Sequence, residues 1–304
     1  MTGEMDTTGM TVTDALGWAG ACFGRAELAE PDREAGHLLA ALLGCTKGEL
    51  YLGRTQMMSE GDVRAYRRAV ERRVSGEPSQ YIAGEQEFRG LSFKVNRDVL
   101  IPRPETELLV EEALDILRNS GKRDVGGEYG DTPIVIDLCT GSGCIAVAMT
   151  HEMAQLRCVA TDLSKPALRI ARENAVRSGV QGRIEFLEGD LFDPLEGEAL
   201  GGRVDMIVSN PPYVPKGEIA TLQTEVRCFE PVAALDGGED GLDFIRRIVS
   251  GAPHYLTGEG ALVMEIGYGQ SEGVQALFEE SDYSWTVEVR RDYAGIERVV
   301  KARL

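Results

Sequence analysis

Apolar positions keep one spacing along the chain before residue 132 and another after it. In the first stretch they recur roughly every three or four residues, which marks amphipathic helices. Ala15, Leu16, Trp18, Ala19 and Phe23 form one such stripe, with Thr13 and Asp14 ahead of it as capping residues. Leu38, Leu39, Leu42 and Leu43 form a second, in a helix from Pro31 that stops near Gly44. Val63, Tyr66, Ala69, Val70 and Val74 form a third, in a helix from Ser59 to Val74. Gly76-Glu77-Pro78 ends that helix. Aromatic and β-branched residues between Tyr81 and Val95, punctuated by Gly84 and Gly90, then predict a short hairpin. Pro104 suits the first position of a further helix through Leu108, Leu109, Leu114 and Leu117. Residues 119–131, rich in glycine and charge, predict a loop.

From Thr132 short apolar runs alternate with helical stripes, the pattern of a doubly wound α/β sheet. Strands are predicted over 134–138, 158–162, 184–187, 203–208 and 261–266, and an antiparallel pair over 285–290 and 297–302 closes the sheet. Helices are predicted over 144–153, 166–177 (capped by Ser164), 242–256 and 273–278. The expected fold is α/β, a doubly wound, mostly parallel, seven-stranded Rossmann-like sheet with a small helical N-terminal domain. Its expected parts are the helical domain over 1–84, a hairpin and linker over 85–104, and the sheet domain over 105–304.

Composition is that of a globular protein, with 43% hydrophobic and 27% charged residues in 304, enough chain for one large and one smaller domain. A net charge of −18 argues against gripping nucleic acid by charge, because phosphate contacts rest on Lys and Arg. One helix runs against that trend. Arg64, Arg67, Arg68, Arg72 and Arg73 share the polar face of the third helix, as a solvated surface or as a basic docking site. No apolar run reaches the roughly 20 residues that span a membrane. The acidic start Met1-Thr2-Gly3-Glu4-Met5-Asp6 is unlike a secretory signal. Six cysteines without a CxxC pair read as reduced thiols of a cytoplasmic protein. The three histidines stand at no ligand spacing, so no metal site is expected.

Two loops carry the candidate chemistry. Gly141-Ser142-Gly143-Cys144-Ile145-Ala146 fits G-x-G-x-x-G/A between a strand and a helix, where glycines let a ligand approach the backbone. Asp162 ends the next strand, a position from which a carboxylate takes a ribose diol. Asp137, just before the turn, can face a positive group such as a methionine ammonium, and Asp190 can reach an adenine amino group. A dinucleotide and S-adenosylmethionine both remain open on these residues. The second loop, Asn210-Pro211-Pro212-Tyr213, follows the strand over 203–208. Its prolines lack N–H groups and hold φ fixed, so the loop is stiff and its carbonyls are free to accept. With the Asn210 amide and the flat face of Tyr213 it makes an acceptor-rich slot for a planar NH2 group. A dehydrogenase has no use for that slot, and no evident His or Lys is placed to handle a hydride. Arg103, between Pro102 and Pro104, sits on a stiff arm as a clamp on a carboxylate or as a substrate contact.

Asp137-Leu138-Cys139-Thr140-Gly141-Ser142-Gly143 followed by Asn210-Pro211-Pro212-Tyr213 is similar to class I methyltransferases that act on planar nitrogens: glutamine side chains, adenine N6 or guanine N2. Four further segments narrow the resemblance. They are Gly76-Glu77-Pro78-Ser79-Gln80-Tyr81-Ile82, Ile101-Pro102-Arg103-Pro104-Glu105-Thr106-Glu107, Phe229-Glu230-Pro231 with Leu235 and Asp240-Gly241, and Asp292-Tyr293 with Gly295 and Arg298. In this order the chain resembles the peptide chain release factor N5-glutamine methyltransferases from residue 35 to 304.

The resemblance implies S-adenosyl-L-methionine as cofactor, held by Asp137, Cys139, Thr140, Gly141, Ser142, Gly143, Asp162, Asp190, Leu191 and Asn210. It implies a release-factor glutamine bound by Asn210, Pro211, Pro212, Tyr213 and Arg103, with Asn210, Pro211 and Tyr213 in the catalytic role. In that role the Asn210 oxygen and the Pro211 carbonyl accept the two amide hydrogens, and Tyr213 stacks on the amide plane. The helical N-terminal domain is expected to dock the release factor, in a cytoplasmic monomer that binds neither membrane nor, stably, nucleic acid. Where the family carries glycine this chain has Cys139, whose backbone is therefore expected to avoid a glycine-only conformation. A glutamine of a ribosomal protein or an amino group of a nucleic-acid base is the alternative acceptor, and the Ile-Pro-Arg-Pro-Glu-Thr-Glu segment argues against the first.

Overall fold

The computed structural model describes residues 9–120 and 132–304. The chain forms helices α1 (Val12–Arg25), α2 (Pro31–Leu43), α3 (Lys47–Leu52), α4 (Glu60–Val74) and α5 (Ser79–Ala83), strands β1 (Glu85–Phe88) and β2 (Leu91–Lys94), and helix α6 (Thr106–Asn119). There follow β3 (Ile134–Leu138), α7 (Cys144–Glu152), β4 (Arg157–Asp162), α8 (Lys165–Arg177), β5 (Ile184–Glu188) and β6 (Val204–Ser209). The last part holds α9 (Thr224–Phe229), α10 (Asp243–Gly251), β7 (Leu256–Glu265), α11 (Ser271–Glu279), β8 (Thr286–Arg291) and β9 (Glu297–Arg303). The described residues up to Glu85, together with α9, make one compact unit; Gln86–Gln223 and Glu230–Leu304 make the other. Thus α9, inside the stretch expected to be one domain from residue 105 on, clusters with the N-terminal helices.

The first unit is built from capped helices. The cap of α1 is Thr11, two residues earlier than the expected Thr13: its hydroxyl accepts from the Asp14 N–H while the Asp14 carboxylate accepts from the Thr11 N–H. That reciprocal pair satisfies two donors the helix leaves orphaned. Thr46 and Glu49 repeat it for α3, which like α5 is too short to show a periodic stripe. Phe23, Leu38, Leu39 and Tyr66 are buried in the core of α1, α2 and α4, and the Tyr66 hydroxyl donates to the Ala35 carbonyl at 2.8 Å. Four of the five arginines of α4 have charged or aromatic partners, and Arg68 is exposed. Arg73 is buried between Glu34 of α2 (3.3 Å) and Glu225 of α9 (2.8 Å), and Arg72 forks onto Glu77. Arg64 pairs with Glu60, and Arg67 lies over the Trp18 ring.

In the second unit β1 and β2 form a small two-stranded sheet, and the other seven strands form one sheet in the order β5-β4-β3-β6-β7-β9-β8. All neighbours are parallel except β9, which runs antiparallel to β7 and β8. Central strands are covered on both faces and so read as continuous apolar runs. Val135, Met206 and Val208 pack in the cluster that holds α6 and α7, whereas Ile136, Leu138 and Ile207 pack in the one that holds α10 and α11. Two boundaries differ from expectation. α6 opens at Thr106, with Pro104 in the turn before it, where its carbonyl accepts from Glu107 N–H. α10 stops at Gly251, and after a 3-10 turn containing Pro253 the chain enters β7 at Leu256. Residues 121–131 of the expected loop lie outside the described residues.

Removing the Arg73 side chain would leave Glu34 and Glu225 without their shared cation. Arg73→Ala is expected to destabilise the first unit by about 3 kcal/mol, the low end for breaking a buried pair because both carboxylates keep some water. Denaturant unfolding measures it, and a loss under about 1 kcal/mol would class the cluster with surface bridges.

Candidate active site

The strand order reverses at β3: the chain runs outward through β4 and β5, then returns to β6 on the other side. In open α/β sheets ligands bind at that point, outside the carboxyl ends of the strands. Leu138 pairs with Ser209, so the next residues, Cys139 and Asn210, leave adjacent strands side by side. The Ser209 hydroxyl reinforces the junction by donating to the Leu138 carbonyl at 2.8 Å. A cavity of about 360 Å³ opens there. Its wall includes Cys139, Thr140, Gly141 and Ser142 after β3, Asp162 after β4, Asp190 and Leu191 after β5, Asn210 and Pro212 after β6, and Ile101 and Arg103 before α6.

The glycine turn is tight. Cys139, Gly141 and Gly143 all have left-handed backbones, at φ 58°, 55° and 80°. The expectation for Cys139 is therefore corrected: it keeps the left-handed turn despite its side chain, a conformation that costs a non-glycine residue about 1–2 kcal/mol. At Gly143 a β-carbon would lie 3.0 Å from that of Ala171, so glycine lets α7 start hard against α8. Asp162 braces the turn, its Oδ2 accepting from Gly141 N–H and its Oδ1 from Ser164 N–H, both at 2.8 Å. Burial raises its pKa against the pull of those two N–H groups. Asp190 is held in a fork by Arg247 (2.9 and 3.1 Å). Leu191 is buried with φ 49°, and its carbonyl accepts from the Thr161 hydroxyl.

Asp137 stands elsewhere than expected. It is 0% exposed and is not on the cavity wall. It shares its sheet face with α7, so its Oδ2 lies beneath the turn, accepting from Thr140 Oγ1 (2.6 Å) and Ala146 N–H (3.2 Å). Its Oδ1 has no partner. Burial accordingly raises its pKa from 3.8 to about 7, against those two hydrogen bonds.

The Asn-Pro-Pro-Tyr loop is tied from behind. Tyr213 OH donates to Glu265 Oε1 at 3.1 Å, and its carbonyl accepts from Gln270 at 2.8 Å. Thr106 Oγ1 donates to Glu265 Oε2 at 2.6 Å and accepts from Asn210 Nδ2 at 3.2 Å. Neither Pro211 nor Tyr213 is on the cavity wall; Asn210 and Pro212 are. Arg103 donates to Glu230 at 2.6 Å while still bordering the cavity, so it is a clamp on a carboxylate at the cavity edge. Glu230 is buried and also accepts from Ile101 N–H; burial raises its pKa and Arg103 opposes the shift. Glu265, Thr106, Glu230 and Arg247 are thus the parts of the site that sequence reasoning did not assign. An acid inside the apolar run over 261–266 was the available signal for Glu265.

A family model described as PrmC N-terminal domain matches residues 14–84, and one described as Methyltransferase small domain matches residues 129–229. A release factor glutamine methyltransferase of Geobacter sulfurreducens is 40% identical over 97% of this chain and 97% of its own. That of Thermodesulfovibrio yellowstonii is 40% identical over 88% of this chain and 91% of its own. Among solved structures, the hMettl16 catalytic domain in complex with a MAT2A 3′UTR hairpin aligns with a TM-score of 0.52 at 14% identity, over 82% of this chain and 84% of that one. At that identity the likeness is one of fold.

A buried acid with a raised pKa holds its proton more tightly in the folded chain than in the unfolded one. Its contribution to stability is therefore full below about pH 4 and is lost as pH rises through about 7. Asp137→Asn keeps one oxygen for Thr140 and Ala146 and removes the buried charge. It is expected to stabilise the ligand-free chain by about 4 kcal/mol at about pH 8, with the gain vanishing towards pH 4. Thermal unfolding across that range measures it; a gain that does not vary with pH would contradict it.

Proposed function

The chain belongs to the release factor glutamine methyltransferase family, and on that premise we propose that it transfers a methyl group from S-adenosyl-L-methionine to the side-chain amide nitrogen of the glutamine in the Gly-Gly-Gln motif of peptide chain release factors. The observation that carries this reading is the meeting of Asn210 and Pro212 with the Cys139–Ser142 turn, Asp162 and Asp190 on one cavity wall. The donor set suits the cofactor. Asp162, braced by two N–H groups, keeps lone pairs for a ribose diol, and Asp190, fixed by Arg247, keeps them for an adenine amino group. Cys139, Thr140, Gly141, Ser142 and Leu191 shape the bed between them, and Gly143, off the wall, lets α7 start behind it. When bound, the cofactor supplies the methyl group on a sulfonium.

The chain's own residues do the rest. A glutamine amide is a weak nucleophile because its nitrogen lone pair is delocalised into the carbonyl. Asn210 Oδ1 and the Pro211 carbonyl accept the two amide hydrogens, which fixes the amide plane and raises electron density on nitrogen. Such alignment contributes several kcal/mol, and fixed dipoles in a water-poor site add to it. Tyr213, anchored at hydroxyl and carbonyl, offers its face to the amide plane. The amide proton becomes acidic only after transfer, so no strong base is needed beforehand. Arg103 has donors beyond the one given to Glu230, and these take a carbonyl of the substrate loop.

The first unit docks the body of the release factor. In support, Tyr51, Leu52 and Met57 of that unit are 67%, 86% and 60% exposed, large apolar side chains turned to water. The net charge of −18 supports a protein rather than a nucleic-acid partner, and no helix among the described residues is long and apolar enough to cross a membrane. The enzyme works as a monomer in the cytoplasm, where translation ends.

Asn210→Ala removes one of the two acceptors and is expected to lower kcat by about 100-fold or more, with cofactor affinity nearly unchanged. Transfer assays paired with calorimetric cofactor titration test this, and equal loss of both would refute the assigned role. Leu52→Glu is expected to raise KM for a whole release factor by about tenfold while leaving KM for a short Gly-Gly-Gln peptide unchanged. A parallel rise for both would make that surface structural.

A further inference from the structure

A carboxamide carries an oxygen at one corner and an NH2 at the other, and a half-turn about its last torsion exchanges them. Asn210 accepts a substrate hydrogen only if Oδ1 is the corner turned to the cavity. The residues behind it decide which corner that is. Glu265, at the end of β7, is 1% exposed and takes Tyr213 OH on Oε1 and Thr106 Oγ1 on Oε2. The Thr106 hydroxyl donates its single proton to Glu265 Oε2 at 2.6 Å. Towards Asn210, 3.2 Å away, Thr106 then has only lone pairs, and only the NH2 corner can satisfy them.

Building on the reading of Asn210 as the acceptor for the substrate amide, we propose that Glu265, acting through Thr106, is the positioning device that locks the Asn210 carboxamide with Nδ2 inward and Oδ1 towards the acceptor nitrogen. Glu265 is not on the cavity wall, and Thr106, which is, acts here through the hydroxyl it turns to Glu265 and Asn210. The same carboxylate fixes the Tyr213 hydroxyl, so one buried group aligns both ends of the Asn-Pro-Pro-Tyr loop. Burial raises the pKa of Glu265, while the hydrogen bonds from Thr106 and Tyr213 and the charge of Arg298 oppose that rise and favour the acceptor-only form.

Thr106→Val keeps the shape of the side chain and removes its hydroxyl, which frees the Asn210 carboxamide to turn. Its kcat is expected to fall on the order of tenfold or more, the scale of a misplaced reacting group, with KM for S-adenosylmethionine within about twofold. Thr106→Ser, which restores oxygen and proton, is expected to return kcat to within about threefold of wild type. If the valine variant does not fold, Thr106→Ala against Thr106→Ser makes the same comparison, since both lack the methyl and differ by one hydroxyl. Equal kcat in the variants with and without the hydroxyl overturns the proposal. Loss of cofactor binding in step with kcat also overturns it, because turning the Asn210 carboxamide leaves the Cys139–Ser142 turn, Asp162 and Asp190 in place. A wild-type chain that fails to methylate the release factor overturns the functional reading as well; an active wild type with an unaffected Thr106→Val overturns this proposal alone.

Discussion

The pairing of Leu138 with Ser209 sets the distance between two chemistries. Parallel neighbours β3 and β6 end level with each other, and each then turns into a loop. One loop is glycine-rich and leads into α7; the other is stiffened by two prolines. Because both hang from one hydrogen-bonded register, a slip of one residue would turn every side chain on the strand to the opposite face. The apolar alternation of Val135, Ile136 and Leu138 against two separate cores prevents that slip. The register of the sheet is therefore what brings the glycine turn and the Asn-Pro-Pro-Tyr loop to one cavity.

Around that junction lie several buried acids, and the way each is satisfied differs. Asp162 braces the turn through two N–H groups, and Glu230 ties Ile101 and Arg103 to the cavity edge. Glu265 ties Tyr213 to Thr106. Burial raises the pKa of all four, and Asp137 alone among them keeps an oxygen without a partner. Strain of another kind sits in Cys139, held in a left-handed backbone at the first residue after β3. Such local departures collect where a ligand must come close to the backbone.

Much of the fold was legible because central strands buried on both faces must be apolar, and that constraint is local. Val204–Ser209 and Ile134–Leu138 could be placed on pattern alone, as could the glycine turn between β3 and α7. What escaped depended on partners far along the chain. Arg73 reads as one more surface arginine until Glu225, 152 residues away, is seen beside it. Glu265 meets Thr106 across 159 residues and Tyr213 across 52. Asp137 was placed at the right strand end but on the wrong side of the turn, because strand parity sends its side chain towards α7 and away from the cavity. Short helices such as α3 and α5 rest on caps and packing, and their few residues cannot display a period.

The most direct measurement is transfer of labelled methyl from S-adenosylmethionine to an unmethylated bacterial release factor by the purified chain, with tRNA, rRNA and DNA as parallel acceptors and the modified residue mapped by mass spectrometry. Label on the glutamine of the Gly-Gly-Gln motif, and none on nucleic acid, is the predicted result. Label on a nucleic acid, or on another residue of the release factor, would contradict the substrate assigned to the Asn210 slot.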